Sequence, residues 1–362
     1  MQHLHFGAGG LGLGLITQLT GTQPSKVQVT VVNRTGKRLS ALQRDGFYHW
    51  HLIPEGSPPR KKVSIHAALD FEDADAISAV VAKEEPILIT TALTEAGLEK
   101  RVDYIRQLLR GRANARQVEH VYVVPCENTV GQGYRQLESE DFGPTVHFLP
   151  CMVDRICGQP GFTKGGEVCV KTEAYASWAI GQDHPHTLSL ESAIKIPGVQ
   201  FVDDLDHHEQ KKRWLVNGPH FALGLLAWDQ GYLALEHLAN SEGGRIFLTS
   251  VQEECRQAFL HEFPDTQEDL AEFNERILER FSTFPLPSNR AVGRLRPDNY
   301  ESLLQAAYDR LVAPAEAFRK ANRRCPGFLH SALHILHESI YRRHYVGADD
   351  AAPFSMEDDG SC

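Results

Sequence analysis

Lys212, Asn217 and His220 fall within one nine-residue run, Lys-Arg-Trp-Leu-Val-Asn-Gly-Pro-His, and together they offer an amine, a carboxamide and an imidazole. At ~100° per residue on a helix the three occupy an arc of roughly 140°, so one cleft can receive them all. An amine kept dry has a lowered pKa and can take the proton of an alcohol. A carboxamide can donate to the alkoxide that develops, and an imidazole can orient a second hydroxyl. Another carboxamide, Asn128 in Pro125-Cys126-Glu127-Asn128, follows a predicted strand at the sheet edge where α/β proteins bind ligands. The set suits alcohol oxidation by hydride transfer without a metal. An ordinary polar helix end followed by a buried histidine would use the same residue types. Pro219 withholds an amide from the Leu215 carbonyl, so the helix should kink or restart there.

A hydride acceptor needs its own cradle. His3-Leu4-His5-Phe6 runs into Gly7-Ala8-Gly9-Gly10-Leu11-Gly12, a G-x-G-x-x-G between a predicted strand and a predicted helix. Gly7 allows the tight turn, Gly9 the close approach of a pyrophosphate, and Gly12 close helix packing, with the anion at the helix amino terminus. The next strand ends at Asn33, the distance a dinucleotide βαβ unit requires. A glycine-rich turn without a ligand would leave Gly10 and Gly14 unexplained. The strand tip carries no carboxylate to grip a free ribose; it reads Asn33-Arg34-Thr35-Gly36-Lys37-Arg38. Arg34 with Lys37 or Arg38 could clamp a 2′-phosphate, so NADP is favoured slightly over NAD.

The elements around these residues read as α/β. Short β-branched runs at HLHF, 27–33, 86–93 and 121–128 alternate with amphipathic stretches, the pattern of a parallel sheet with helical crossovers. From about residue 209 the apolar residues recur three and four apart, which predicts helices. The expected domains are a Rossmann domain with a bridging segment over 1–205, a helical substrate and catalytic domain over 206–345, and a disordered acidic tail over 346–362. A length of 362 residues suits about two domains of ~150 residues each.

Net charge is -10, with 37 basic against 47 acidic residues, which argues against a nucleic-acid surface. No apolar run approaches the ~20 residues that span a bilayer, and MQHLHFGAGG lacks a signal-peptide profile, so a cytoplasmic location is expected. The seven cysteines form no C-x-x-C pair, and reduced, apolar roles are expected for most of them. No metal is expected, since His184, His186, His207 and His208 come as close pairs without a matching Cys and Glu set. No Y-x-x-x-K occurs either, which removes the short-chain dehydrogenase mechanism.

The run K-x-x-x-x-N-x-x-H resembles the signature of the polyol-specific long-chain dehydrogenases, the mannitol dehydrogenase family. Further ordered matches are Phe6 to Gly12, Thr90-Thr91-Ala92, Cys126-Glu127-Asn128, Val153-Asp154-Arg155-Ile156 and Glu173 to Trp178. The resemblance implies a Rossmann domain and a helical domain with the active site between them. It also implies Lys212 as general acid/base, Asn128 and Asn217 as oxyanion donors, and His220 and Asp154 as substrate contacts. Gly7, Ala8, Gly9, Gly10, Leu11, Gly12, Asn33, Arg34, Thr90, Thr91 and Ala92 would then surround the nicotinamide cofactor. Glu209, one turn before Lys212, could pass the proton to solvent or be a solvated carboxylate.

In length the chain is similar to the mannitol-1-phosphate 5-dehydrogenase branch, which implies a sugar or polyol phosphate as ligand and Arg290 and Arg294 as candidates for its phosphate. Leu13 and Gly131 stand where that branch carries Arg, and the acid of the second strand tip is missing. Two other readings stay open: a two-domain Rossmann dehydrogenase acting on a hydroxy acid, and a dinucleotide-sensing protein without turnover. A monomer or small homo-oligomer is compatible with all of them.

Overall fold

The computed structural model describes residues 1–22, 26–53, 61–113, 119–127, 130–182, 190, 196–286 and 300–345. Two compact units meet in the sequence at Leu205 and Asp206. The expected acidic tail lies outside the described residues.

Six strands form the parallel sheet of the first unit: β1 Gln2–Phe6, β2 Gln28–Asn33, β5 Ala67–Asp70, β6 Ile87–Thr91, β7 Val121–Pro125 and β8 Val146–Phe148. Their order is β5-β2-β1-β6-β7-β8, and every neighbouring pair runs parallel. The direction of winding reverses between β1 and β6, and the carboxyl edge beside such a reversal is where these sheets bind ligands. Both faces are covered, which is why β2, β6 and β7 read as near-continuous β-branched runs rather than alternating ones. On one face Leu4, Phe6, Ile87, Ile89, Val121 and Val123 pack with Ile77 of α3 Ala74–Val81, Ile105 of α5 Val102–Ala113 and Leu137 of α6 Gln132–Glu138. Leu4 and Phe6 are fully buried, each burial contributing about 1.5–3 kcal/mol. On the other face Val29 and Val31 pack with Leu39 and Leu42 of α2 Lys37–Asp45.

Among the described residues the unit also holds two smaller sheets. β3 Phe47–Leu52 and β4 Lys61–Ser64 pair antiparallel, and β3 also pairs in parallel with β11 Val168–Thr172, which joins β10 Gly161–Phe162. β12 Ser177–Gly181 lies between β9 Cys151–Asp154 and β13 Val199–Val202. The stretch expected to bridge the domains is therefore two sheets. One of them recruits β3 and β4, which the sequence reading did not single out.

The second unit is helical, as the apolar spacing predicts. The helix Gly218–Asp229 is buried along most of its length and packs against the helices Glu242–Glu262 and Gly327–Tyr345. Glu242–Glu262 is capped by Ser241, whose hydroxyl accepts from the Gly244 amide at 3.1 Å, and Leu270–Thr283 by Asp269, which accepts from Ala271 and Glu272.

Candidate active site

The glycine turn is held from several sides. Gly7 has φ +114°, and a Cβ built there would stand 2.4 Å from the Ala92 carbonyl oxygen, so only glycine fits against the end of β6. A Cβ on Gly12 would stand 2.1 Å from the Gly7 oxygen and 2.5 Å from His5 Nε2. Gly9 is different, because nothing lies within 4 Å of its Cβ position. That open side is what a passing pyrophosphate requires, so the residues fit a dinucleotide. Gly10 and Gly14 have a structural explanation after all: Gly10 lies against Gly158 and Cys157, and Gly14 against Cys157 and Thr172. These two glycines therefore lend no support to a bound nucleotide.

Beyond the turn, Gly12–Ile16 adopts a π-helical turn that leads into α1 Thr17–Gly21. Side chains meet the carbonyls along it. The Tyr48 hydroxyl donates to Leu13 at 2.7 Å, and Arg155 donates to Gly14 and to the Gln18 carboxamide, both at 2.8 Å. Arg155 also donates to the Glu173 carbonyl, and the Glu173 carboxylate accepts from the Ile156 amide. Two of the family-like motifs thus tie the glycine helix to the bridging sheets.

At the tip of β2, Asn33 is half-buried and its Oδ1 accepts from the Ala8 amide at 3.3 Å. Arg38, one of the cations read as a phosphate clamp, instead donates to the Ala8 and Pro160 carbonyls at 2.9 and 3.1 Å. Arg34 and Lys37 remain exposed. A carboxylate does stand nearby: Asp70 pairs in register with Asn33 and accepts from the Thr35 hydroxyl, which holds its carboxyl below the ordinary value. It arrives from β5, where inspection of the β2 tip could not find it.

Thr90 and Thr91 are fully buried, and the Ala92 amide donates to the Phe6 carbonyl at 2.8 Å. The Thr90 hydroxyl is engaged within the protein, 2.7 Å from both His3 Nε2 and His5 Nδ1. Just after β7, the Glu127 carboxylate accepts from the Leu93 and Thr94 amides at 2.6 and 2.9 Å. Burial raises its pKa while those bonds pull it down. Glu127 thereby fixes the turn after β6, a role that the Cys-Glu-Asn motif did not reveal. Asn128 lies outside the described residues, as do Arg290 and Arg294. Asp154 ends β9 in register with Ser177 and is buried.

Burial also gives this edge a pH dependence. His5 is held down at about 4 by desolvation, partly offset by the Gly7 carbonyl, and desolvation with the neighbouring His5 holds His3 well below the ordinary value. Between pH 6.5 and 4 the unfolded chain binds protons that the folded chain refuses, so stability falls on acidification. For His5 alone the loss is about 3 kcal/mol, full at the lower limit. Urea unfolding at pH 6.5 and pH 4.5 should show this slope, and His5→Gln should flatten it; equal slopes for the two proteins would refute the assignment.

In the second unit Lys212–Asn217 is π-helical, between the helix Leu205–Lys211 and the helix Gly218–Asp229. The Gly218 amide donates to the Arg213 carbonyl, five residues back, so the turn ahead of Pro219 is widened. The chain widens ahead of Pro219, and an α-helix begins afresh at Gly218 with the proline in its first turn, one of the two outcomes that Pro219 predicts. With i to i+5 pairing, Lys212 and Asn217 stand one wide turn apart on the same side, and His220 follows within the next α-turn. All three are half-buried, while Trp214, Leu215 and Val216 between them are buried. The His220 ring lies 5.4 Å from that of Phe281. Lys211 has another task, with its amine 2.5 Å from Glu268 and over the Phe273 ring. Glu209 lies 3.8 Å from Arg213; burial raises its pKa, and Arg213 and Lys212 oppose the rise. Gly218 passes close to the Arg310 carbonyl, 2.7 Å from a built Cβ. Among the described residues no group of three His, Cys, Asp or Glu side chains could hold a metal ion, and no helix is long and apolar enough to cross a membrane.

Comparison with known proteins gives this arrangement a context. The mannitol dehydrogenase Rossmann domain matches residues 1–191. The chain belongs to the mannitol dehydrogenase family. Relatives of this family member include the mannitol-1-phosphate 5-dehydrogenase of Caldanaerobacter subterraneus, 25% identical over 87% of this chain and 80% of that one. That of Anoxybacillus flavithermus is 24% identical over 93% and 87%. Among solved structures, Pseudomonas fluorescens mannitol 2-dehydrogenase, in a ternary complex with NAD and D-mannitol, matches at a TM-score of 0.62 and 18% identity, covering 88% of this chain and 79% of that one. A substrate-free D-sorbitol dehydrogenase matches at 0.67 and 16%, over 94% and 80%. The fold class and the enzyme class read from the sequence are met: this is a polyol dehydrogenase of the mannitol dehydrogenase family.

Proposed function

We propose that this mannitol dehydrogenase family member interconverts a phosphorylated sugar alcohol of the mannitol 1-phosphate type and its keto form, of the fructose 6-phosphate type, without a metal, in the cytoplasm. The observation that carries the reading is the half-buried trio Lys212, Asn217 and His220 on one side of a helix that widens to align them. Lys212, in its uncharged form, takes the hydroxyl proton of the substrate in oxidation and returns it in reduction. Asn217 donates to the oxygen while it carries negative charge, and Asn128 is its proposed partner. His220 orients a neighbouring hydroxyl, and Asp154 accepts from another. A nicotinamide dinucleotide, when bound, would supply the acceptor or source of the hydride. Gly7 to Gly12 form its cradle, and Asn33 orders that cradle through Ala8. Arg290 and Arg294 are assigned to the substrate phosphate.

Cofactor choice turns on the β2 tip. Arg34 and Lys37 favour a 2′-phosphate and hence NADP, now without help from Arg38. Asp70 beside Asn33 pulls toward NAD. A panel followed at 340 nm, crossing NADH and NADPH with free and phosphorylated fructose and other keto sugars, tests the whole reading. The expected result is turnover with fructose 6-phosphate and a modest NADPH preference. Turnover confined to unphosphorylated sugars would overturn the substrate assignment, and a strong NADH preference would overturn the Arg34 and Lys37 clamp.

A further inference from the structure

Beneath the glycine turn lies a chain of buried polar groups that the reaction does not use. Thr20 Oγ1 is 2.9 Å from His3 Nδ1, His3 Nε2 is 2.7 Å from Thr90 Oγ1, Thr90 Oγ1 is 2.7 Å from His5 Nδ1, and His5 Nε2 is 2.9 Å from the Gly7 carbonyl oxygen. All four side chains are fully buried. Burying two imidazoles and two hydroxyls in a sheet face is costly unless every one is satisfied, so their presence calls for a function.

The chain has one proton order. A carbonyl only accepts, so His5 Nε2 carries hydrogen and donates to Gly7. Neutral His5 must then accept at Nδ1, and Thr90 donates to it. Thr90 has only one proton, so it accepts from His3 Nε2, and His3 Nδ1 accepts from Thr20. The Thr20 hydroxyl also lies 3.1 Å from the Ile16 carbonyl and 3.4 Å from the Thr17 carbonyl, so its proton is shared among three acceptors. Every donation points the same way, from Thr20 toward Gly7, and each bond polarises the next.

What this chain grips is the Gly7–Ala8 peptide. His5 holds its oxygen from within the sheet, and Asn33 Oδ1 accepts from its N–H at 3.3 Å. Both ends of one peptide group are thus fixed at a glycine with φ +114°, where the backbone has the freedom to rotate. If the peptide turned over, its carbonyl oxygen would take the place of the Ala8 N–H and face Asn33 Oδ1 at the β2 tip, beside the path expected for a dinucleotide, and both bonds would be lost.

We propose that His5, ordered through Thr90 and His3, is a positioning residue for the dinucleotide: together with Asn33 it locks the Gly7–Ala8 peptide in the orientation that admits it. This rests on the nicotinamide reading of the turn given above.

The test is direct binding of NADH and NADPH to the whole protein by nucleotide fluorescence, with steady-state kinetics alongside. His5→Phe and Thr90→Val should each weaken the preferred dinucleotide about tenfold or more, the scale of one lost hydrogen bond with its partner stranded, while KM for the sugar phosphate stays unchanged. His5→Gln, whose carboxamide nitrogen can still reach the Gly7 oxygen, should recover most of the loss. Nitrogen NMR of the native protein should find both His3 and His5 as Nε2–H tautomers. A His5→Phe or Thr90→Val protein that unfolds cooperatively yet binds dinucleotide as tightly as the native one would overturn the proposal, as would an Nδ1–H tautomer at His5. Should His5→Phe fail to fold, Thr90→Val removes only a hydroxyl at nearly constant shape and decides the matter. A native protein that binds neither nucleotide would instead overturn the cofactor reading itself.

Discussion

Lys212→Met lowers kcat by about 10²- to 10⁴-fold and leaves the dissociation constant of the dinucleotide unchanged, because the variant keeps the length of the side chain and removes only its base. The neighbouring lysine supplies the control. Lys211 pairs with Glu268 and covers Phe273, so Lys211→Met removes a partly exposed ion pair and should cost at most about 1 kcal/mol of stability with turnover near native. Because Lys211 is held in its own ion pair, the two variants separate a catalytic amine from a general loss of positive charge. Single-turnover measurements with the reduced cofactor check both. Native rates in Lys212→Met would remove the mechanism, and a Lys211→Met effect equal to that of Lys212→Met would show that charge rather than proton transfer is at issue. Asn217→Ala should fall between them, losing about 10²-fold in kcat if its amide meets the oxyanion.

The ion pair of Lys211 with Glu268 could not be read from the sequence, where Lys211 and Lys212 differ only in spacing from Asn217 and His220. The trio itself was legible, because its spacing fits one side of a helix. Its actual alignment comes from a π-turn that only Pro219 hinted at. The same holds in the first unit. β2, β6 and β7 announce themselves because both faces are buried and the residues are β-branched, and β1 by the glycine turn that follows it. β3 did not, since its Phe-Tyr-His-Trp-His-Leu mixes ring types and finds its parallel partner β11 some 120 residues further on, His49 beside Cys169. Long-range pairing also hid the meaning of Gly10 and Gly14, which face Cys157, and of Asp70, which completes the β2 tip from β5. Local chemistry survives a reading of spacing alone; juxtaposition across the fold does not.

A second pair of variants separates fold from ligand at the glycine turn. Gly12→Ala places a methyl 2.1 Å from the Gly7 oxygen and 2.5 Å from His5 Nε2, a backbone clash that no rotamer relieves. It should cost several kcal/mol, on the scale of forced overpacking, with a fall in Tm and loss of dinucleotide binding together. Gly9→Ala adds the same methyl where nothing lies within 4 Å and the backbone is not left-handed, so the folded protein should tolerate it with Tm nearly unchanged. Its effect should appear only in the complex, because the methyl occupies the side on which the backbone and the pyrophosphate approach each other, and a loss of about 10²-fold in affinity is expected. Thermal unfolding and nucleotide titration of the two variants check the contrast. Gly9→Ala with native affinity would place the pyrophosphate elsewhere, and with it the role of every residue grouped around this turn. A loss of stability in Gly9→Ala equal to that of Gly12→Ala would mean that the open side is filled by the protein itself. The sharpest outcome is thus a variant that melts like the native chain and no longer holds its dinucleotide, since a glycine demanded by packing cannot produce it.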